Sequence, residues 1–366
     1  MTEKRKNKVI VIMISFMILL FSIMHWLGPD KEFSVSERRK LAQFPELSGE
    51  TIISGKFMGE FESYAVDQFP LRDGFRGMKT LMSQKIFGQK DQHGIYKSGD
   101  HICKMEYPLN PDSLDRVSDR FRYIYNKYME GTDVKLYFSI IPDKNYFLAE
   151  SGGYLRMDYE KLFNQMQKNT EYMTYIPLAD LLDADDFYKT DIHWRQEKIV
   201  DIAERIGAEM GITLHENHEI CEIKQPFYGN LSGQYALPTE GEKLCYLTNE
   251  TLKNCEVFDY ENQRRIQVYD MEKAEGRDPY EMFLSGSLAL VTVANPKAVS
   301  DKELILFRDS FGSSIAPLFA GAYKKITLID IRYVHPDLLE KYVQFNSQDV
   351  LFLYSTLSLN HGEIFK

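Results

Sequence analysis

The sequence predicts an α/β fold, a three-layer sandwich around a central, mainly parallel sheet, with an insertion and an N-terminal transmembrane helix. Three observations carry that expectation. Short, almost wholly apolar runs (Leu304–Phe307, Ile326–Ile329 and Val350–Tyr354) alternate with helical patterns through the last third of the chain, the signature of parallel β-α-β units. Strands with so few polar residues suit a sheet covered by helices on both faces. The 366 residues are 44% hydrophobic and 13% aromatic, enough apolar surface for a large core in two domains or in one domain with an insertion.

At the N-terminus, Lys4, Arg5, Lys6 and Lys8 precede Val9–Leu27, a run with no Asp, Glu, Lys or Arg. At ~1.5 Å per residue this run can cross a ~30 Å hydrocarbon layer. The positive cluster predicts that residues 1–8 are a cytoplasmic tail and that everything after Gly28 is exported. The exit His25-Trp26-Leu27-Gly28-Pro29 has no Ala-x-Ala-like cleavage site, which favours an uncleaved single-pass anchor at 9–27 over a cleaved signal. Residues 28–50 are charged and irregular and read as a juxtamembrane stalk, and 51–366 as the folded domain. Helical patterning covers 56–66 and 74–87, and Ile95-Tyr96 reads as a short strand. Leu114, Val117, Phe121, Ile124, Tyr125 and Tyr128 recur at three- and four-residue intervals and predict a helix over 112–130. Val134–Ile141 is then a strand stopped by Pro142. A helix over 158–170, a strand over 173–177 and a helix over 194–210 follow. The strands 304–307, 326–329 and 350–354 enclose helices over 311–321 and 336–344. Between these blocks, 213–302 is rich in Tyr, Gly and polar residues with weak periodicity and reads as an insertion or small β-rich subdomain.

Composition excludes several function classes. With 44 Lys+Arg against 54 Asp+Glu the chain carries a net charge of −10, and no basic patch beyond the first eight residues could neutralise a run of phosphates, so nucleic acid is not a partner. Cys103, Cys221, Cys245 and Cys255 show no Cys-x-x-Cys spacing, which rules out zinc ribbons and thioredoxin-type motifs. In an exported chain Cys245 and Cys255 could close a short disulfide loop, although sequence does not decide connectivity. His215, Glu216, His218 and Glu219 fit a solvated polar loop better than a metal site. No metal or cofactor is called for.

Ligands of such sheets gather where strands end, so residues just after strands are the candidates. In Phe307-Arg308-Asp309-Ser310-Phe311-Gly312 a strand gives way to a helix at a serine, whose hydroxyl and backbone N–H would both face a reacting carbonyl. The same Ser310 or Asp309 could simply cap the helix. In Tyr188-Lys189-Thr190-Asp191-Ile192-His193-Trp194, Asp191 and His193 could supply the base, and the carboxylate that orients it, which a serine hydroxyl needs. Equally, Asp191 could be a helix cap and His193 a surface or core histidine. Lys144, in Ile141-Pro142-Asp143-Lys144-Asn145, could shape a pocket at another strand end, where a solvated turn is the alternative.

Several short motifs then fall in a familiar order: Ser36-Glu37-Arg38-Arg39-Lys40-Leu41-Ala42-Gln43-Phe44-Pro45, Asp67-Gln68-Phe69-Pro70-Leu71-Arg72, Pro142-Asp143-Lys144, Asp191-Ile192-His193-Trp194, Asp278-Pro279-Tyr280-Glu281-Met282-Phe283-Leu284, Asp309-Ser310-Phe311 and Asp330-Ile331-Arg332-Tyr333. In these the chain resembles the DHHW family and, more distantly, periplasmic alginate O-acetyltransferase proteins. The resemblance implies a circularly permuted SGNH hydrolase-like domain with Ser310 as nucleophile, His193 as base and Asp191 as its orienting acid. Two positions depart from the pattern: Ile192 stands at the second motif position instead of His, and Arg308 stands where SGNH enzymes have Gly. Arg308, Tyr354 and Asn360, with Lys144, are the candidates for substrate or oxyanion contacts.

The resemblance implies a membrane-anchored, extracytoplasmic O-acetyltransferase or acetylesterase acting on a cell-surface polysaccharide, with a membrane-bound O-acyltransferase as acetyl-donating partner. Phe227, Tyr228, Tyr235 and Tyr246 could form a sugar-stacking surface or be packing residues. The alternative reading is an inactive envelope-assembly or glycan-binding protein on the same fold, for which Arg308 and the missing oxyanion residues argue.

Overall fold

The computed structural model describes residues 3–34, 36–37, 39–214 and 217–366, which separate into two units. The smaller comprises Met1–Gln92 and Gly233–Pro238. Its first helix, α1 (Glu3–Leu27), has an apolar window of mean hydropathy 2.5, none of which is buried. Its two other long helices are α2 (Lys56–Asp67) and α3 (Arg72–Lys85). The segment expected as a stalk is instead packed into this unit. Phe33–Ser34 pairs with Arg39–Lys40, and the Asp67 carboxylate accepts from Arg39 at 2.8 Å and from the Ala42 N–H at 2.9 Å. The Arg39 hydrogen bond, foremost, holds Asp67 down at about 2. Residues 51–92 accordingly belong with the N-terminal segment and not with the large domain.

The larger unit, His93–Ser232 with Thr239–Lys366, is built on one eight-stranded sheet. Its strands are β1 (Lys135–Ile141), β2 (Thr174–Tyr175), β3 (Glu256–Asp259), β4 (Arg264–Ile266), β5 (Leu290–Ala294), β6 (Glu303–Arg308), β7 (Lys325–Ile329) and β8 (Asp349–Ser355). They lie in the order β4-β3-β5-β7-β6-β8-β1-β2. From β7 to β2 every pairing is parallel, whereas β5, β3 and β4 extend the edge antiparallel.

Because side chains alternate across a strand, the central strands feed two cores. Phe138, Ile140, Ile305, Phe307, Val350 and Phe352 pack on one face under α4 (Pro111–Tyr128) and α6 (Tyr159–Asn169). Leu304, Leu306, Ile326, Leu328, Leu351 and Leu353 pack on the other, under α7 (Val200–Glu209) and α8 (Phe311–Ile315). These two covered faces make the three layers.

Several local expectations are corrected. The 213–302 stretch is not a separate subdomain, since its β3, β4 and β5 hydrogen-bond into the main sheet. A helix the sequence pattern hid, α5 (Lys144–Gly152), follows β1. It starts at Asp143, whose side chain accepts from the Asn145 N–H, and ends at Gly153 with φ 63°. The helix expected from 194 begins later, as a 3₁₀ turn at Gln196–Lys198 before α7, because Trp194 is held extended opposite Phe187. Residues 336–341 form only a 3₁₀ turn. All four cysteines are free thiols, so no Cys245–Cys255 bridge forms.

Candidate active site

The site begins where β6 ends. Asp309 takes over the capping role: its Oδ1 accepts from the Phe311 N–H at 3.1 Å, while Oδ2 accepts from the Ser355 N–H at 2.8 Å, the Ser355 hydroxyl at 2.6 Å and the Ser358 hydroxyl at 2.7 Å. This carboxylate ties the end of β6 to the end of its neighbour β8. Ser310, the residue before α8, makes no side-chain cap bond, so its half-buried hydroxyl is free for another partner. Among the described residues its backbone N–H is given to no acceptor.

That partner arrives on the loop between Phe187 and Trp194, which pair as an isolated bridge; the Tyr188 N–H also donates to the His193 carbonyl at 3.0 Å. Two charged groups fix this loop. The buried Lys144 ammonium donates to the carbonyls of Ile102, Tyr188 and Lys189 at 2.6, 2.8 and 3.2 Å, and burial lowers its pKa. The Glu242 carboxylate accepts from the Lys189 and Thr190 N–H groups, both at 2.8 Å.

Asp191, buried, then holds the histidine twice. Its Oδ1 accepts from the His193 backbone N–H at 3.1 Å and lies 2.6 Å from Nδ1 of the ring. Its Oδ2 accepts from the Asn230 N–H at 2.8 Å. A carboxylate can only accept, so Nδ1 carries the proton and Nε2 presents its lone pair. Nε2 lies 2.7 Å from Ser310 Oγ. The structure thus joins Asp191, His193 and Ser310 in one hydrogen-bonded chain, the arrangement that activates a serine by general-base assistance.

Residues the sequence reading had not singled out hold the imidazole flat. The Tyr280 ring stacks on it with centroids 3.9 Å apart and planes 8° from parallel, and Phe311 lies at 5.0 Å. The Tyr280 hydroxyl and Trp194 Nε1 each reach Ser314 Oγ at 2.8 Å, and Gln196 donates to the Ser314 carbonyl at 2.6 Å. Tyr280 belongs to the Asp278-to-Leu284 motif, so a signal existed, but nothing in the sequence said which ring it would cover. Gly229 allows the 229–231 strap to lie on the loop: a Cβ there would overlap the Thr190 carbonyl and the Asp191 side chain.

The other candidates do not join this chain. Lys144 is spent on the three carbonyls. Arg308 is fully buried, 3.6 Å from Asp330 and hydrogen-bonded to the Leu288 carbonyl at 3.2 Å, and burial lowers its pKa. Tyr354 is buried in the core under α4. Asn360 donates to Glu106 at 2.7 Å and accepts from the Asn110 N–H at 2.8 Å. These four therefore bind structure, where the sequence suggested substrate or oxyanion. Ile192 lines a small recess with Asp143, Asn145, Leu231 and Leu357. The sugar-stacking surface is not formed either: Phe227 is buried against Tyr188, Tyr235 is buried and bonded to Gln84, Tyr246 packs on Tyr269, and only Tyr228 is exposed. Of the polar cluster, His215 and Glu216 lie outside the described residues, and among the described residues no three His, Cys, Asp or Glu converge on a metal position.

Comparison with solved structures finds a DHHW family protein from Eubacterium siraeum, 18% identical, superposing with a TM-score of 0.58 over 75% of this chain and 95% of the other. The chain has the fold of that DHHW family protein. Bacillus cereus PatB1, solved with a sulfonyl adduct, shares the fold with a TM-score of 0.57 at 17% identity, over 72% of this chain and 95% of its own. The O-acetyltransferase domain of Pseudomonas putida AlgJ is a more remote likeness, with a TM-score of 0.43 at 10% identity over 74% and 93% of the two chains. No protein-family model and no curated protein sequence matches.

Proposed function

We propose that the protein is a membrane-anchored, extracytoplasmic serine O-acetyltransferase or acetylesterase acting on a cell-surface polysaccharide. The observation that carries this reading is the Ser310–His193–Asp191 chain at 2.7 and 2.6 Å, at the carboxyl end of a parallel strand. The substrate class comes from the DHHW resemblance of the sequence, and the anchor from α1 and the basic residues before it.

In the proposed reaction Ser310 Oγ attacks the carbonyl carbon of an acetyl ester as its proton passes to His193 Nε2, leaving an imidazolium beside the Asp191 carboxylate. The free N–H of Ser310 faces the oxyanion. The tetrahedral species collapses, the C–O bond to the donor breaks, and the departing alkoxide takes the proton from His193. A sugar hydroxyl or water then attacks acetyl-Ser310, gives its proton to His193, and the proton returns to Ser310. Transfer and hydrolysis differ only in this acceptor. A membrane-bound O-acyltransferase would supply the donor ester.

The test is acetate release from 4-nitrophenyl acetate by the full chain in detergent, beside Ser310→Ala and His193→Ala, with labelling by a sulfonyl fluoride read as a mass shift. The sulfonyl adduct of PatB1 recommends that reagent. Activity and label lost in both variants support the reading. Hydrolysis that survives Ser310→Ala, or a label on another residue, overturns it. The rival, a binding protein without chemistry, keeps the missing oxyanion residues as its argument, while Arg308 is turned into the fold 3.6 Å from Asp330.

A further inference from the structure

The smaller unit contains a helix built inside out. In α3 the buried side chains are Thr80 and Ser83, whereas Leu71, Phe75, Met78, Leu81, Met82 and Ile86 on and beside it are exposed. The inward side has its own partners within the unit. Arg76 donates to the Gly233 carbonyl at 2.8 Å, Gln84 accepts from the Tyr235 hydroxyl at 3.2 Å, and Gly77 lies so near the Ala236 carbonyl that a Cβ would come within 2.9 Å of it. The polar face is therefore the docked one. Residues 71, 75, 78, 82 and 86, three or four apart, form a stripe on the side opposite the docked polar face, the reverse of an ordinary surface helix.

The anchor indicates what covers that stripe. Phe21 of α1 packs against Phe69 at 5.5 Å and Phe75 at 5.6 Å, so the stripe continues the apolar surface of α1. An apolar groove of about 420 Å³ runs along α1 beside the end of α2, lined by Ile14, Met17, Ile18, Phe21, Ala65 and Phe69. At ~1.5 Å per residue Phe21 sits ~9 Å below the end of the apolar run, and amphipathic helices settle ~5–10 Å into the headgroup and acyl boundary. Lys79, Lys85 and Lys90 are exposed on and just beyond α3, with stems long enough to bring their charges up to lipid phosphates.

We propose that α3 is a second membrane contact: it lies in the outer-leaflet interface with its apolar stripe among lipid acyl chains, which also fill the groove beside α1. The proposal rests on reading α1 as a retained span. It adds that α1 is retained because Phe21 and His25 make ring contacts with Phe75 and Tyr64 of the folded unit.

The test uses the full chain in vesicles of phosphatidylethanolamine and phosphatidylglycerol, with and without bromine on the acyl chains. The chain has two tryptophans, and Trp194 is fully buried in the larger unit. Met78→Trp in a Trp26→Phe background should lose most of its added emission to the bromines, whereas Val299→Trp, exposed on the larger unit, should lose none. Met82→Trp, on the same stripe and exposed, repeats the measurement if Met78→Trp fails to fold. A residue-78 tryptophan left bright by bromine overturns the proposal: reached by acrylamide it lies in water, and shielded from acrylamide it lies against a protein partner or a second copy. Trp26 of the unaltered chain reports on the span separately. If Trp26 is quenched and residue 78 is not, only the interfacial helix is wrong; if neither is quenched, the span itself is.

Discussion

Asp191→Asn isolates the electrostatic part of the site. The amide keeps the shape and one accepting oxygen, so the Asn230 N–H retains its partner, whereas the His193 backbone N–H loses the Oδ1 acceptor it had at 3.1 Å. What changes is the group 2.6 Å from His193 Nδ1. An amide nitrogen there donates, which forces Nδ1 to accept and moves the ring proton to Nε2, facing Ser310 where the lone pair is needed. The charge term is lost as well. A carboxylate and imidazolium in hydrogen-bond contact have charge centres about 4 Å apart and attract by ~4 kcal/mol at an effective dielectric of ~20, which is about 10³ in rate. The wrong tautomer takes the expected loss toward ~10⁴. The assay is kcat/KM for 4-nitrophenyl acetate together with the rate of sulfonyl fluoride labelling, since both read the nucleophilicity of Ser310. Thermal melting serves as the folding control. A variant that folds and keeps activity within tenfold of the parent would refute the assignment of Asp191 as the orienting carboxylate.

Three further perturbations separate positioning from chemistry. Tyr280→Phe keeps the stacked ring and loses one hydrogen bond to Ser314, so activity should fall by less than about tenfold at a stability cost of ~1 kcal/mol; Tyr280→Ala frees the imidazole and should lose ~10²-fold in kcat, with ~3–5 kcal/mol of stability for the cavity. Equal effects of the two changes in steady-state kinetics would show that the stacking does not matter. Gly229→Ala pushes the strap off Thr190 and Asp191 and should lower kcat more than the melting temperature, the reverse ranking counting against a role for the strap. Burial, with Glu106 adding to it, pushes the Asp143 carboxyl up to about 6, against hydrogen bonds from Thr356, Tyr159 and the Asn145 N–H. Its folded pKa is above the unfolded ~3.9, so this contribution to stability is full below pH ~4 and lost as pH rises through about 6, ~3 kcal/mol in all. Urea midpoints of Asp143→Asn should therefore decline less between those pH values than those of the parent chain, and parallel curves would contradict the linkage.

Much of the site was legible because its chemistry is written locally. Asp191 and His193 are two residues apart, and a tight loop lets one carboxylate hold both the backbone and the ring of the histidine. Ser310 follows a strand whose apolar run is plain, so its place at a strand end could be read from the pattern. Arg308, by contrast, sits next to the nucleophile in sequence, yet alternation along the strand and α8 bury its side chain against Asp330. Tyr354 and Asn360 misled for the same reason: nearness to a strand end does not say which face a side chain takes.

The sequence by itself determined the apolar N-terminal helix, the parallel strands β6, β7 and β8 and the residue types of the Ser310, His193 and Asp191 chain, because periodicity and local spacing are properties of the chain. Only the tertiary structure decided that 117 residues of separation close to 2.7 Å between His193 and Ser310, that β3, β4 and β5 join the main sheet, and that α3 turns its apolar side outward. Those outcomes depend on which surfaces meet, and a strand or helix carries the same pattern whether its apolar face finds a core or a membrane.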